Sequence, residues 1–237
     1  MSIKNTKYKP LYKKFLGLRE NVQNRQKLLQ FKRKKWSKFL TFYKKKLKRH
    51  KKFKLYNQNM YVVSKRPDRY NSYVNKYKRS VKAAACIRLF LGNIRKHSLN
   101  KLVNLTENHG LKNLNQSFLE ILEKRLDLIV FRAKFCHSVR NAQQLISHGK
   151  VLVNKKIVRS SSYLVQTGDL ISVIPSLKNF KLVESNIRKG EIWPIPPKYL
   201  IINYKTMQII VNDIKHTNIS VLFLFNLALE KVLTKHS

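Results

Sequence analysis

The stretch of sequence that decides the fold is EKRLDLIVFRAKFCHSVRNAQQLISHGKVLVNKKIVRSSSYLVQTGDLISVI, residues 123–174. Within it, four apolar residues recur at the i, i+3, i+4, i+7 spacing of one helix face: Leu126, Ile129, Val130 and Ala133. Arg125 and Arg132 lie seven positions apart and are expected together on a different side of this helix, which faces solvent. The stretch therefore predicts a first helix with one apolar and one basic side.

A second helix is predicted to begin after Ser138, because a serine hydroxyl can accept a hydrogen bond from the N–H groups of the first turn. Three apolar residues form its expected buried face: Ala142, Leu145 and Ile146. Four polar residues fall away from that face: Arg140, Gln143, Gln144 and Ser147. Gly149 follows the last turn, which is where glycine commonly ends a helix.

Strands are predicted after this helix. Val151 and Val153 alternate with Lys150 and Leu152, as in a half-buried strand. The pair at 154–155 can make a tight turn into residues 156–158, and the Gly-Asp pair at 168–169 can turn the chain into a strand over 170–174. Two helices and a small hairpin sheet would bury one apolar side and leave Arg, Lys, Gln and Asn on the other. This arrangement is typical of a platform for nucleic acid.

The motifs RLD (125–127), AQQLISHGKVLVN (142–154) and GDLISV (168–173) together resemble the S-four (S4) RNA-binding domain. The variant is most similar to small-subunit ribosomal proteins of the S-four family, of the organellar, mitochondrial type. The resemblance covers residues 125–173. Two positions depart from it: Val139 stands where the family has an arginine, with Arg140 one position later, and Asn154-Lys155 replaces the usual Asn-Gly turn.

Charge dominates the composition, with 51 Lys+Arg against 11 Asp+Glu and a formal net charge of +40. A compact domain with this excess repels itself unless a polyanion neutralises it. Nucleic acid is therefore the expected partner, and an anionic membrane the weaker alternative. Because 43% of the residues are hydrophobic and 11% aromatic, the chain is more than a disordered basic tail.

The sequence gives no sign of a metal, a cofactor or a catalytic centre. Its two cysteines, Cys86 and Cys136, are far apart and form no CxxC pair, which argues against a zinc site and a disulfide framework. His137 and His148 have no partner at a metal-ligand spacing. We find no Gly-rich phosphate loop, HExxH, GxSxG or paired-carboxylate arrangement. We expect no cofactor and no enzymatic activity.

Residues 13–56 are basic and helix-forming, and three interpretations remain open for them. They can form a long helix along rRNA phosphates, an exposed helix with no fixed partner, or a helix on a membrane surface. Pro67 predicts a break before a further helix over 70–88. One face of that helix is expected to belong to the core rather than to stack on bases: Tyr70, Tyr73, Val74, Tyr77 and Val81.

The C-terminal part predicts a β-hairpin and an apolar segment. Residues 198–204 are a strand candidate with 207–211 as the hairpin partner, and the resemblance implies that this short sheet returns to the N-terminal helices. The apolar run over 219–233 is shorter than the ~20 residues of a membrane span. It is expected to be a core-seeking helix or a docking surface for a neighbouring protein.

We therefore predict an α+β protein in three parts. They are a basic N-terminal extension (1–57), a helical body (58–117 with 178–237) closed by the C-terminal segment, and the S4 domain (118–177). The expected function is that of a structural constituent of the small ribosomal subunit, which binds small-subunit rRNA and neighbouring ribosomal proteins and supports assembly. The alternatives are a stand-alone ribosome-associated RNA-binding factor and an S4-containing RNA-modifying enzyme.

The expected location is the mitochondrial ribosome, with the plastid as the alternative. The first residues resemble neither a secretory signal nor an Arg- and Ser-rich transit peptide, as expected of a protein synthesised inside the organelle. The following residues are the candidates for contact with RNA: Lys44, Lys45, Lys46, Arg49, Arg125, Arg132, Arg140, Gln143, Gln144, His148, Lys150, Asn154, Lys155, Lys156, Arg159 and Tyr163.

Overall fold

The computed structural model describes residues 73–108, 114–176 and 196–213, together with residues 14, 18, 22, 37, 38, 41, 180, 181, 183–185 and 232. Five helices occur in the continuous ranges: α1 (Tyr73–Phe90), α2 (Lys96–Asn108), α3 (Leu114–Glu123), α4 (Leu126–Arg132) and α5 (Val139–Ser147). Five strands follow: β1 (Val151–Val153), β2 (Lys156–Ile157), β3 (Leu170–Val173), β4 (Leu200–Asn203) and β5 (Gln208–Val211). The predicted α+β class is confirmed.

Helix α1 forms where the sequence predicts it but buries a different face. Tyr77 is 56% exposed and Val81 is 40% exposed, so the expectation that they belong to the core is wrong. Arg88 lies on the same helix face as Tyr77 and Val81. Burying that face would therefore also bury the guanidinium of Arg88. The buried positions lie on the other side, in the C-terminal half of the helix: Ala83, Cys86, Ile87, Leu89 and Phe90.

The two helices predicted from the 123–174 stretch are present as α4 and α5. Ser138 is the N-cap of α5, and its hydroxyl oxygen accepts a hydrogen bond from the N–H of Asn141 at 3.3 Å. Ala142 and Ile146 are fully buried, while Leu145 packs against the core from a half-buried position. Gly149, at φ +68°, follows the end of the helix in the left-handed region, as predicted. These local predictions are confirmed.

The hairpin β1–β2 is also confirmed, and its turn is tight. Leu152 pairs with Ile157 and Val153 with Lys156, which leaves Asn154 and Lys155 as the turn. Both turn residues have positive φ, +50° and +65°. Two consecutive residues with positive φ match the right-handed twist of the strands that they connect.

The five strands form one antiparallel sheet in the order β2-β1-β3-β5-β4. The hairpin predicted at the C-terminal end is confirmed as β4–β5, with Ile202 opposite Ile209. Its neighbour was not predicted. Strand β5 pairs with β3, with Ile171 opposite Ile209, so the hairpin extends the sheet of the 123–174 stretch. The prediction placed this short sheet against the N-terminal helices and did not include its pairing with β3.

One side of the sheet packs into the core. Val151, Val153, Ile171 and Ile209 are at most 4% exposed, and they belong to one cluster with the apolar faces of the helices. Tyr199, just before β4, is among the largest fully buried side chains, at 1% exposure. The sheet therefore holds α4 and α5 in place and sets their exposed sides relative to the hairpin.

Several predictions fall outside the described residues: the helix within 13–56, the break at Pro67, and the 219–233 segment apart from Val232, which is buried. Within the described ranges, no helix combines the length and apolar composition needed to cross a membrane. The same ranges contain no group of three His, Cys, Asp or Glu residues that could hold a metal ion. Cys86 and Cys136 are buried free thiols.

Candidate nucleic-acid interface

Arg132 is not available to RNA, and the prediction that it faces solvent is wrong. Its Nη2 donates to Oε1 of Glu123 at 2.7 Å and its Nε donates to Oε2 at 3.1 Å, with the two side chains 2% and 0% exposed. The hydroxyl of Tyr199 donates to the same Oε2 at 2.8 Å. Burial and then the neighbouring carboxylate raise the pKa of Tyr199 well above 10. Arg132 therefore joins α4 to α3 and to the segment before β4.

Arg125 is likewise buried, at 3% exposure, and its expected solvent-facing position is wrong. Its Nη2 and Nε donate to the two carboxylate oxygens of Asp127 at 2.8 and 3.1 Å. Helix α4 has only seven residues and is buried on nearly every side, so a purely solvent-facing stripe does not exist on it.

Gln143 is half-buried and structural. Its Nε2 donates to the carbonyl of Leu91 at 2.8 Å and to Oδ2 of Asp127 at 2.9 Å. The side chain therefore ties α5 both to the turn after α1 and to the Arg125–Asp127 pair. Its amide donors are directed into the protein, which contradicts its expected position among the exposed RNA contacts.

Asn154 is exposed, but its side chain is engaged within the protein. Its Nδ2 donates to Oδ1 of Asp169 at 2.8 Å, and its Oδ1 accepts from the N–H of Leu170 at 3.0 Å. These bonds hold the β1–β2 turn against the start of β3. Asn154 positions the turn, and Lys155 next to it presents the charge.

The remaining candidates come together around the hairpin. Lys155 lies in the turn and Lys156 follows it, both exposed. At the other end, Val158 N–H donates to the carbonyl of Val151 at 3.3 Å, so Arg159 lies beside Lys150. A Cβ on Gly149 would lie 3.6 Å from Nε of Arg159.

We name these exposed side chains the hairpin surface: His148, Lys150, Lys155, Lys156 and Arg159. Within the described ranges, none of them forms an ion pair with a carboxylate.

The exposed side of α5 runs from the hairpin surface, at His148, to Arg140 near the start of the helix. Arg140, Gln144 and His148 are spaced four apart and therefore share one helix face; Gln144 and His148 are exposed and Arg140 is half-buried. Burial lowers the pKa of Arg140, whose guanidinium stays charged at neutral pH. Tyr163, 39% exposed, lies in the loop whose backbone meets the start of α4, since Leu126 N–H donates to its carbonyl at 2.9 Å.

A second basic cluster lies at the other end of α5, and of its members only Arg140 was among the predicted RNA contacts. The turn after α1 has positive φ at Gly92 (+80°) and Asn93 (+70°), and a Cβ on Gly92 would lie 3.1 Å from Cγ of Arg140. Nζ of Lys14 donates to Oδ1 of Asn93 at 2.7 Å. Arg95 follows in the same turn.

We call Lys14, Arg95, Lys96 and Arg140 the turn surface. One feature of the sequence could have indicated this surface. The basic pair Arg95-Lys96 lies at the start of α2, where the helix dipole disfavours cations.

The interface therefore consists of two basic surfaces joined by α5. A nine-residue helix is about 13 Å long, which sets the distance between them. Exposed Lys and Arg side chains can bind phosphates through charge-assisted hydrogen bonds. The candidates Lys44, Lys45, Lys46 and Arg49 lie outside the described residues.

The fold and this surface define the class of protein, namely one that carries an S4 domain. The family model of the S4 domain matches residues 124–171, which confirms the resemblance seen in the sequence.

Relatives that match beyond the S4 domain show to which family within this class the chain belongs. The chain is 33% identical over 190 residues to the small ribosomal subunit protein uS4m of Reclinomonas americana, covering 75% of this chain and 73% of the relative. It is 36% identical over 129 residues to uS4m of Marchantia polymorpha, covering 53% and 63%. It is 32% identical over 110 residues to uS4 of Aquifex aeolicus, covering 46% and 52%. The chain belongs to the uS4 family of small ribosomal subunit proteins, which are structural components and not enzymes.

Proposed function

We propose that this chain is a structural constituent of the small subunit of a mitochondrial ribosome, where it binds small-subunit rRNA and supports subunit assembly. The observation that carries the proposal is the continuous exposed side of α5 with a basic surface at each end. Family membership supports the ribosomal role. Two of the relatives described above are of the uS4m, mitochondrial type, which supports a location in the mitochondrial ribosome. We further propose that the chain is synthesised inside the organelle.

RNA binding follows from charge and geometry together. The hairpin surface is held by the sheet pairing of β1 and by the bonds of Asn154 to Asp169 and Leu170. Gln143 ties α5 to the turn after α1, so both surfaces need little reorganisation on binding. Neutralising several phosphates at once releases counterions and supplies most of the affinity. Recognition of the RNA then depends on its shape, because two rigid basic surfaces fit only a backbone that reaches both.

The three-part division of the chain belongs to this proposal. Residues 118–177 act as the RNA-binding domain, residues 1–57 as a basic extension, and residues 58–117 with 178–237 as the body. The body contributes β4 and β5 to the sheet of the RNA-binding domain. The extension would add phosphate contacts through Lys44, Lys45, Lys46 and Arg49. Neighbouring small-subunit proteins would contact the body and the C-terminal segment.

The test is quantification of the chain in small subunits from purified mitochondrial ribosomes, before and after a high-salt wash. One copy per subunit that resists the wash is expected of a constituent. A substoichiometric chain that the wash removes would instead indicate a ribosome-associated factor. Binding of the full chain to small-subunit rRNA fragments should in addition weaken as the salt concentration rises.

A further inference from the structure

The sheet has a second face, which points away from the core. In an antiparallel pair, residues directly opposite each other lie on the same face, and residues two apart in one strand also share a face. Five aliphatic residues come to this face, at least one from every strand. We call them the outer strip: Leu152, Ile157, Leu170, Ile201 and Ile210.

The register makes the outer strip continuous. Ile157 lies opposite Leu152, and Leu152 lies opposite the residue two positions after Leu170, so Leu152 and Leu170 are diagonal neighbours. Leu170 lies opposite Ile210, and Ile210 lies opposite Ile201. With strands about 4.8 Å apart, the outer strip crosses roughly 19 Å of sheet.

Much of the outer strip is in contact with water. Ile157 and Ile201 are each 57% exposed and Ile210 is 42% exposed, while Ile171 and Ile209 on the opposite face are fully buried. Single exposed apolar residues are common, but a contiguous set indicates an interaction site. The outer strip is therefore a candidate interface in its own right.

The chemistry of the outer strip favours a protein over RNA. Bases stack on aromatic rings or guanidinium planes, and the outer strip has neither. Lys150 precedes Leu152 by two positions, and Lys205 lies in the turn between β4 and β5; both are exposed. In the described part of the sheet, the polar residues on this face are Ser172, Asn203 and Gln208, without a carboxylate. A partner with carboxylates beside its apolar residues complements this charge.

We propose that the outer strip docks a neighbouring protein of the small ribosomal subunit that presents aliphatic side chains bordered by Asp or Glu. This inference rests on the proposed function, because it requires that the chain be a component of the subunit. Lys156 and Ile157 are adjacent in β2 and so point to opposite faces. RNA that contacts Lys156 therefore leaves the outer strip free for a protein. Lys150 and Arg159 share the face of Leu152 and Ile157, so they lie at the border between the two surfaces.

The test places a photo-crosslinking amino acid at Ile201 in the full chain and isolates the assembled small subunits after irradiation. The expected product is a crosslink to one other ribosomal protein. The matched control carries the same probe at Gln166, which is exposed in the loop before β3 and outside the outer strip. That probe should not reach the same protein. Crosslinks from Ile201 to rRNA, or to residues 214–237 of the chain itself, would overturn the proposal.

Two sets of substitutions test the chemistry, with the probe moved to Ile157. Ile201→Thr with Ile210→Thr keeps the β-branched shape and removes apolar area. It should lower the crosslink yield on the order of tenfold, as does loss of well-packed interface side chains. Lys205→Glu should lower the yield more than Lys205→Gln, because only the former repels carboxylates. Unchanged yields in both sets would sink the proposal.

The presence of the chain in the small subunit separates the docking proposal from the proposed function. Subunits that contain the wild-type chain but give no protein crosslink from Ile201 would refute the docking surface and leave the proposed function intact. Absence of the wild-type chain from salt-washed subunits would refute the proposed function, and the docking surface with it.

Discussion

Glu123 at the end of α3 and Arg132 at the end of α4 form a two-pronged ion pair inside the protein, at 2.7 and 3.1 Å. The guanidinium of Arg132 also lies 5.6 Å from the ring centroid of Phe90 and 6.0 Å from that of Phe131. Rings stabilise a cation held over their faces. Two charges that would be costly in isolation are thereby satisfied, and three segments of chain are joined at one point.

Arg132→Ala should destabilise the protein by about 3–5 kcal/mol, because it leaves the Glu123 carboxylate buried without its partner. The free energy of unfolding in urea measures this loss. Lys156→Ala is the matched control and should change stability by no more than about 0.5 kcal/mol, since its side chain is exposed. An Arg132→Ala protein of normal stability with weakened RNA binding would contradict the structural role of Arg132.

Tyr199→Phe should cost about 1–3 kcal/mol at neutral pH, because a hydrogen bond to a buried carboxylate is lost. The loss should depend on pH. The folded-state pKa of Tyr199 lies well above 10, so its contribution is fully present below pH 10 and is lost as the pH rises towards the folded value. The difference in unfolding free energy between wild type and Tyr199→Phe should therefore shrink above pH 10. A constant difference up to pH 11 would argue against a buried neutral phenol.

Lys155→Gly should stabilise the protein by about 1 kcal/mol and weaken RNA binding at the same time. Lys155 has φ +65°, a conformation that costs an L-residue about 1–2 kcal/mol and glycine almost nothing. Thermal unfolding and RNA titration would measure the two effects. Asn154→Gly is the matched control, and it should not stabilise because the bonds to Asp169 and Leu170 are lost. Stabilisation of Lys155→Gly without loss of RNA affinity would remove Lys155 from the interface.

Lys156→Ala and Arg159→Ala should each flatten the dependence of log K on log salt by about 0.7–0.9. The reason is that each exposed side chain neutralises about one phosphate. RNA binding of the full chain across a salt series gives the slope. Gln166→Ala, an exposed uncharged position away from the hairpin surface, should leave it unchanged. Wild-type slopes in both basic variants would show that RNA binds elsewhere.

The local elements were predictable because short-range patterns determine them. The helix cap at Ser138, the glycine after α5 and the turn at 154–155 each depend on residues within a few positions of one another. The pairing of β5 with β3 joins residues almost forty positions apart. Alternation shows only that each strand has an apolar side, and it cannot identify the strand alongside.

The candidate site was predictable in part for a similar reason. The basic residues of the hairpin surface are exposed, as their position in a turn and on a strand edge indicated. Arg125 and Arg132 were misassigned because periodicity locates an apolar face but does not show which charged side chains are paired and buried. Arg125 pairs with Asp127 of its own helix, and Arg132 pairs with a carboxylate of α3. Glu123 lies nine positions before Arg132, and only the packing of α3 against α4 brings them together. Arg140 was predicted, but Lys14, Arg95 and Lys96 were missed, because the members of the turn surface come from three separate segments.

The shared sheet also has a consequence for how the chain folds as it is synthesised. When β3 emerges from the ribosome that makes it, its partner β5 has not yet emerged, so one edge of β3 is left without hydrogen-bond partners. Such an edge can pair with any extended chain nearby. The order of synthesis therefore leaves the RNA-binding domain vulnerable to mispairing until residue 211 has emerged.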